Sequence, residues 1–182
     1  MRIQGKHKFI IYVILFINII LLKLLSNTAN RQITADNSNN LYYPAIVSKI
    51  IDGDTIDVFF VDNKPDFCNI EERVRLIGVD TPELNIHKKE NPQYYSEEAK
   101  NFTSHELLEE NILIRLDNVT NSRDKYGRLL AYVYIEDYLF NKILIEQGFG
   151  KYYKNFKFEK EMMNLFEKAQ NYAKENKNGL WN

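Results

Sequence analysis

Two runs of β-forming residues meet at a short polar turn. Ala45–Ile51 (AIVSKII) and Thr55–Val61 (TIDVFFV) flank Asp52-Gly53-Asp54, and an Asp-Gly pair between such runs is a strong short-range signal for a β-hairpin. The hairpin commits this chain to folds with antiparallel sheet. Its single cysteine, Cys68, narrows the choice again. One thiol can make neither an intramolecular disulfide framework nor a multi-cysteine zinc or iron–sulfur site. Cys68 also lies in the polar stretch Asp66-Phe67-Cys68-Asn69 with no histidine or lysine adjoining it, which reads as a spectator thiol. Stability must come from a hydrophobic core. A chain of 182 residues, 45% of them hydrophobic and 13% aromatic, is long and apolar enough to build one.

The elements that follow alternate between strand and helix patterns. Asp62–Glu72 reads as a polar loop, Arg73–Val79 (RVRLIGV) as a third strand, and Leu84–Tyr95 as a mobile loop carrying Lys, Asn and Pro. Ser96 is the expected N-cap of a helix, with Glu97 and Glu98 in its dipole-favoured first turn and an apolar stripe at Ala99, Phe102, Thr103 and Leu107. Ile112–Leu116 and Leu129–Ile135 are two more strands, separated by the polar turn DNVTNSRDKYGR. Asn141 is the expected cap of a short helix that ends at Gly148. A last helix puts Phe158, Met162, Leu165, Phe166, Ala169 and Ala173 on one face, and Leu180-Trp181 is expected to fold back as a hydrophobic clamp. Five strands and about three helices in this order predict an α+β fold, a small barrel with helices appended.

The N-terminus is of a different kind. Arg2, Lys6 and Lys8 precede an uncharged run, Phe9–Leu22 (FIIYVILFINIILL). A charged segment followed by such a run marks a secretory signal, and extension to Leu25 approaches the length of a membrane-spanning anchor. Residues 1–25 are therefore expected to be a signal peptide or N-terminal membrane anchor, 26–41 a polar linker, and 42–182 the folded domain. The basic flank would stay in the cytoplasm and the domain would lie outside it, secreted or membrane-anchored. Five of the 24 basic residues precede the first acid, Asp36, so residues 32–182 carry 19 basic against 25 acidic side chains, a formal charge of −6. A nucleic-acid partner would have to be held by a local basic site, because the global field is repulsive.

Three charged segments stand out from the strand-rich background. They are Asp52-Gly53-Asp54-Thr55, then Arg75 with Asp80-Thr81-Pro82-Glu83, then Arg123-Asp124-Lys125-Tyr126-Gly127-Arg128. Each alone reads as a turn or a solvated hairpin connection, and the first is not an EF-hand, since it runs into TIDVFF without a closing Glu. Together and in this order they are specific. VSKIIDGDTIDV, RVRLIGVDTPE and DKYGRLLAYVYI, with the closing Gly-Leu-Trp, resemble the staphylococcal nuclease (thermonuclease) family across residues 42–181.

That resemblance implies a five-stranded OB-fold barrel and calcium-dependent hydrolysis of DNA and RNA phosphodiesters to 3′-phosphate products. Asp54 and Asp80 match the family's calcium carboxylates and Thr81 its backbone-carbonyl ligand. Arg75 and Arg128 match its phosphate-binding arginines, Glu83 its candidate general base, and Lys125 and Tyr126 the positions that contact phosphate and sugar. Asp52 matches an acid near the metal with a less direct role. The chemistry of these side chains agrees. Carboxylates, a carbonyl and water make a hard-oxygen shell suited to calcium, whereas His7, His87 and His105 are too scattered for a zinc triad. Two arginines offer planar, permanently charged forks for the equatorial oxygens of a phosphate.

The sequence departs from the family in its acidic domain, in a longer loop over 62–72, and in Tyr152 and Tyr153, which fall in the region of the base-stacking tyrosines with shifted spacing. The alternative reading is a catalytically silent OB-fold module that binds nucleic acid or protein. Such a module has no need of the acids and arginines together. A shared site has a geometric consequence as well. Arg75 and Asp80 are five positions apart, an odd offset that puts them on opposite faces of a regular strand. An irregularity is expected within residues 76–80, most naturally at Gly78.

Overall fold

A computed structural model describes residues 41–84 and 91–182. The expected signal or anchor (1–25), all of the linker but Leu41, and residues 85–90 of the Leu84–Tyr95 loop lie outside the described residues. β1 (Tyr42–Asp52) and β2 (Thr55–Phe60) form the expected hairpin, with Asp52 paired to Thr55 around Gly53 and Asp54. Ile56, Val58 and Phe60 of β2 are buried while Phe59 is exposed, the alternation of a sheet with one face inward. β3 (Glu71–Leu76) joins β2 antiparallel, and β5 (Asn111–Leu116) joins the other edge of β1. β6 (Leu129–Ile135) pairs antiparallel with β5 and parallel with β3. The five strands therefore close in the order β1-β2-β3-β6-β5, which leaves the barrel without open edges. The first five residues of β6, Leu129 to Val133, are all buried, because this strand faces the barrel interior on one side and helices on the other.

Among the described residues three helices complete the expected α+β, OB-type architecture: α1 (Ser96–Leu107), α2 (Phe140–Glu146) and α3 (Lys160–Glu175), followed by a 3₁₀ turn at Gly179–Trp181. Three two-residue strands had no signal in the sequence. β4 (Val79–Asp80) pairs with β8 (Lys151–Tyr152), and β7 (Tyr138–Leu139) extends the sheet beyond β6.

The third strand is shorter at its end than expected. β3 stops at Leu76, Gly78 turns with φ +73°, and the chain resumes as β4 in a different sheet. The break falls inside the 76–80 window. Its cause is double: a Cβ at residue 78 would lie 2.6 Å from the Phe166 ring and 2.8 Å from that of Phe158, so only glycine combines this backbone with this packing.

Two expected caps have other occupations. The Ser96 hydroxyl donates to the Gln93 carbonyl at 2.7 Å, and Tyr95, in the left-handed region at φ 71°, is the residue that precedes α1. Asn141 lies inside α2 and is fully buried. Its Oδ1 accepts from the Val133 N–H at 2.9 Å, and its Nδ2 donates to the carbonyls of Ile77 at 2.9 Å and Ala131 at 3.3 Å. A side-chain amide with one acceptor and two donors is here a staple between α2, β6 and the segment that follows β3. The C-terminal Trp181 is likewise less a hydrophobic clamp than a cation platform, with Lys174 Nζ 4.6 Å and Lys151 Nζ 5.8 Å from its ring centroid.

A buried polar network ties the barrel to α3. Arg115 of β5, 1% exposed, donates through both terminal nitrogens to Glu159 at 2.9 Å and lies 4.4 Å over the Tyr132 ring. The Tyr132 hydroxyl donates to Asp117 at 2.6 Å, and Asp117 also accepts the N–H groups of Val119, Thr120 and Glu159. Burial would raise the Asp117 carboxyl, but these hydrogen bonds outweigh it and hold it below the usual carboxylate range. Cys68 is buried against Glu72 and Arg123, and burial pushes its thiol up to about 11, which suits a spectator.

The two glycines at strand breaks provide a test. Gly78→Ala should cost about 2–4 kcal/mol, from the left-handed backbone plus overpacking against Phe166 and Phe158. Gly127 has a similar φ of +82° but nothing within 4 Å of a Cβ, so Gly127→Ala should cost only about 1–2 kcal/mol. Urea unfolding of the two variants measures the difference.

Candidate active site

Asp54 sits at the second turn position of the β1–β2 hairpin and is 4% exposed. A carboxylate so placed must find partners within the protein. Its Oδ1 accepts from the Thr55 hydroxyl at 3.1 Å, and its Oδ2 accepts the Thr81 N–H at 2.8 Å and lies 3.0 Å from Nη2 of Arg75. The hairpin tip is set deeply enough for this by Gly53. A Cβ there would lie 2.8 Å from Thr81 Oγ1 and 3.0 Å from the Ala99 Cβ, and the Gly53 carbonyl accepts the Thr103 hydroxyl of α1 at 2.7 Å.

Arg75 projects from β3 beside Thr55, its cross-strand partner. Its Nη1 donates to the Leu76 carbonyl at 2.9 Å, and its Nη2 bridges Asp54 and the Asp80 Oδ1, the latter at 3.4 Å. The Asp80 side chain is half-exposed. The turn at Gly78 thus brings Arg75 and Asp80 to one side despite their odd offset. Arg128 enters from the start of β6. Its Nε donates to Asp124 at 2.7 Å, and its Nη1 lies 3.5 Å from Thr55 Oγ1. Arg128, Thr55, Asp54, Arg75 and Asp80 therefore form one continuous line of polar contacts.

Glu83 is exposed at the end of the Asp80-Thr81-Pro82-Glu83 segment. Its main chain is fixed twice by Gln93: the Glu83 N–H donates to Oε1 at 3.0 Å, and its carbonyl accepts the Gln93 N–H at 3.0 Å. Burial, with the charges of Asp54 and Glu83, pushes the Asp52 carboxyl up to about 6 against the opposing Gly53 N–H bond and Lys100. Burial also raises Asp80, again with Asp54 and Glu83 adding and Arg75 and Lys151 opposing. Four acids thus share one field.

Lys125 and Tyr126 lie on the turn before β6, which Asp124 organises by accepting the N–H groups of Tyr126 at 2.9 Å and Arg128 at 3.0 Å. The Tyr126 ring is exposed, with Lys125 Nζ 4.9 Å and Arg128 Cζ 5.4 Å from its centroid. These two residues reach the acids by way of Arg128, and Tyr126 and Arg128 border a groove of about 700 Å³ that also includes Lys49, Phe59 and Arg73. Tyr152 is a core residue, in ring contact with Phe158 and Phe166, and so has no face open to a base.

The donor set tests the metal. Among the described residues no three His, Cys, Asp or Glu side chains gather as a metal cluster. Asp54 and Asp80 nevertheless converge on one positive charge, the Arg75 guanidinium, and the buried Thr81 Oγ1 beside them has no hydrogen-bond partner among the described residues. Two carboxylates with nearby main-chain oxygen fit a hard cation that keeps part of its water shell. Sequence reasoning missed Thr55, Thr103, Asp124 and Gln93 as supports of the site. Thr55 and Asp124 stood inside the charged motifs; Thr103 and Gln93 carried no local signal, because their partners are 50 and 10 residues away.

A family model described as "Staphylococcal nuclease homologue" matches residues 73–182. The thermonuclease of Staphylococcus intermedius is 38% identical over 75% of this chain and 74% of its own length. The thermonuclease of Staphylococcus hyicus is 35% identical, with 80% and 78% covered. An uncharacterized protein of Methanocaldococcus jannaschii is 36% identical, with 78% and 72% covered. The closed barrel and the line of acids and arginines across it accord with these matches, and the chain belongs to the staphylococcal nuclease family.

Proposed function

We propose that the protein is an exported, calcium-dependent nuclease that hydrolyses phosphodiester bonds of DNA and RNA to 3′-phosphate products. The observation that carries this reading is the unbroken line Arg128–Thr55–Asp54–Arg75–Asp80, which sets two guanidinium forks beside two carboxylates. A binding module has no use for that combination. Asp54, Asp80 and the Thr81 carbonyl would hold calcium, and bound calcium would offset phosphate charge and lower the barrier to attack by water.

The remaining roles belong to side chains. Arg75 and Arg128 grip the oxygens on which negative charge grows during displacement, and their bidentate geometry matches a phosphate as Lys cannot. Glu83 orients the attacking water or takes its proton, from a main chain that Gln93 holds still. Lys125 and Tyr126 contact phosphate and sugar on the Arg128 side. Arg75 also pairs with Asp54 and Asp80, so a bound phosphate would share its guanidinium with these acids. Export rests on the charged and apolar N-terminus and the membrane contact it would provide if uncleaved.

Plasmid DNA and RNA should be degraded in calcium, and neither chelator nor zinc should support the reaction. Full activity in chelator would refute the metal assignment. Arg75→Lys and Arg128→Lys should lower kcat about 10²–10³-fold with little change in calcium affinity, whereas Asp80→Ala should weaken calcium binding itself. Calorimetric titration of calcium alongside single-turnover rates separates these effects. Fractionation of expressing cells should find the domain outside the cytoplasm; a soluble cytoplasmic pool of full-length chain would refute export.

A further inference from the structure

Asp80 borders a second cavity of about 320 Å³, whose walls include Thr81, Gln93, Tyr94, Lys151 and Leu180 but none of Arg75, Arg128, Lys125 or Tyr126. Two features meet at its walls. The first is a stack of rings. Phe140, buried, lies 5.9 Å from Phe102; Phe102 lies 4.2 Å from Phe149; Phe149 lies 5.7 Å from Tyr95; and Tyr95 lies 5.6 Å from Tyr94. The stack begins in the core and ends at Tyr94, which is 73% exposed. Tyr95 joins it only by adopting φ 71°, a strained choice for an aromatic residue that the surrounding packing must hold in place.

The second feature is Lys151. It is the cross-strand partner of Asp80 in the β4–β8 pair, so the two side chains emerge on one face. It is exposed, leans toward the Trp181 ring at 5.8 Å, and among the described residues has no carboxylate within ion-pair distance. An open aromatic face and a cation outside any ion pair thus flank one cavity, directly beside an acid of the candidate site.

We propose that this cavity is a nucleotide subsite adjoining the reacting phosphate, in which the neighbouring base stacks on Tyr94 and the next phosphate of the same strand pairs with Lys151. The proposal rests on the nuclease reading for its ligand and extends it to the side of the site away from Arg128. A base on Tyr94 is unpaired, so the subsite favours single strands over duplex.

Binding of a fluorescent single-stranded oligonucleotide to the full chain, measured by anisotropy in chelator, tests this without turnover. Tyr94→Ala should weaken binding about 10-fold, as loss of one base–aromatic stack does, and Tyr94→Phe should restore it. Lys151→Ala should flatten the dependence of log K on log salt by about 0.7, the share of one phosphate contact on a single strand. An abasic site scanned along the oligonucleotide should weaken the wild type about 10-fold at one position and leave Tyr94→Ala unaffected there. Unchanged binding by Tyr94→Ala, an equal loss for both proteins at every abasic position, or an unaltered salt slope for Lys151→Ala would overturn the subsite. If these binding effects appear but the wild type hydrolyses nothing in calcium, the nuclease reading fails and the subsite stands.

Discussion

Asp54 is a carboxylate buried at the tip of a hairpin, and much of the surrounding structure exists to make that burial tolerable. An ionised group out of water needs hydrogen bonds and an opposite charge. Asp54 receives an N–H from Thr81, a hydroxyl from Thr55 and the guanidinium of Arg75. Each partner is itself a residue that the site requires nearby. Satisfying one acid therefore draws β2, β3 and the segment after Gly78 to a common point.

The barrel supplies the rigidity for that convergence. Closure through the parallel β3–β6 pair sets Arg75 directly opposite Leu130, two residues beyond Arg128. The two arginines, 53 positions apart in the chain, thereby come to the same hairpin tip. Behind them, Asn141 holds α2 to β6 and to the Ile77 carbonyl, just before the turn that redirects Asp80. The polar network of Arg115, Glu159, Asp117 and Tyr132 lies elsewhere and locks α3 to the barrel. A buried network with most of its members satisfied favours one arrangement over its alternatives.

Charge distribution explains how an acidic domain can serve an anionic substrate. The formal charge of −6 belongs to residues 32–182 as a whole, whereas some of the cations gather in local groups. Arg128 with Lys125 and Tyr126 forms one cluster, and Lys151 with Lys174 against Trp181 forms another. Within a Debye length of about 8 Å at physiological salt, such clusters govern encounter more than net charge does. Burial holds Asp52 and Asp80 above their ordinary range, and repulsion from Asp54 and Glu83 adds to it.

Most of the barrel was legible in the residue pattern because β2 and β3 alternate with period two, β6 is a continuous apolar run, and the first turn carries an Asp-Gly pair. The charged motifs, too, were local enough to read, and the break at Gly78 followed from the parity of Arg75 and Asp80. The roles of Ser96 and Asn141 were not legible. Both types favour caps, but Asn141 has partners eight, ten and 64 residues away, and only the closed fold decides that its amide belongs in the core. The two-residue strands β4 and β8 were equally invisible, since two residues carry no periodicity. The sequence by itself determined the chemistry at hand: which acids, arginines and rings exist, and the strands that bear them. The tertiary structure alone decided which of them meet, because the line from Arg128 through Thr55, Asp54 and Arg75 to Asp80, and the pairing of Lys151 with Asp80, depend on sheet closure and strand pairing over separations that no local pattern records.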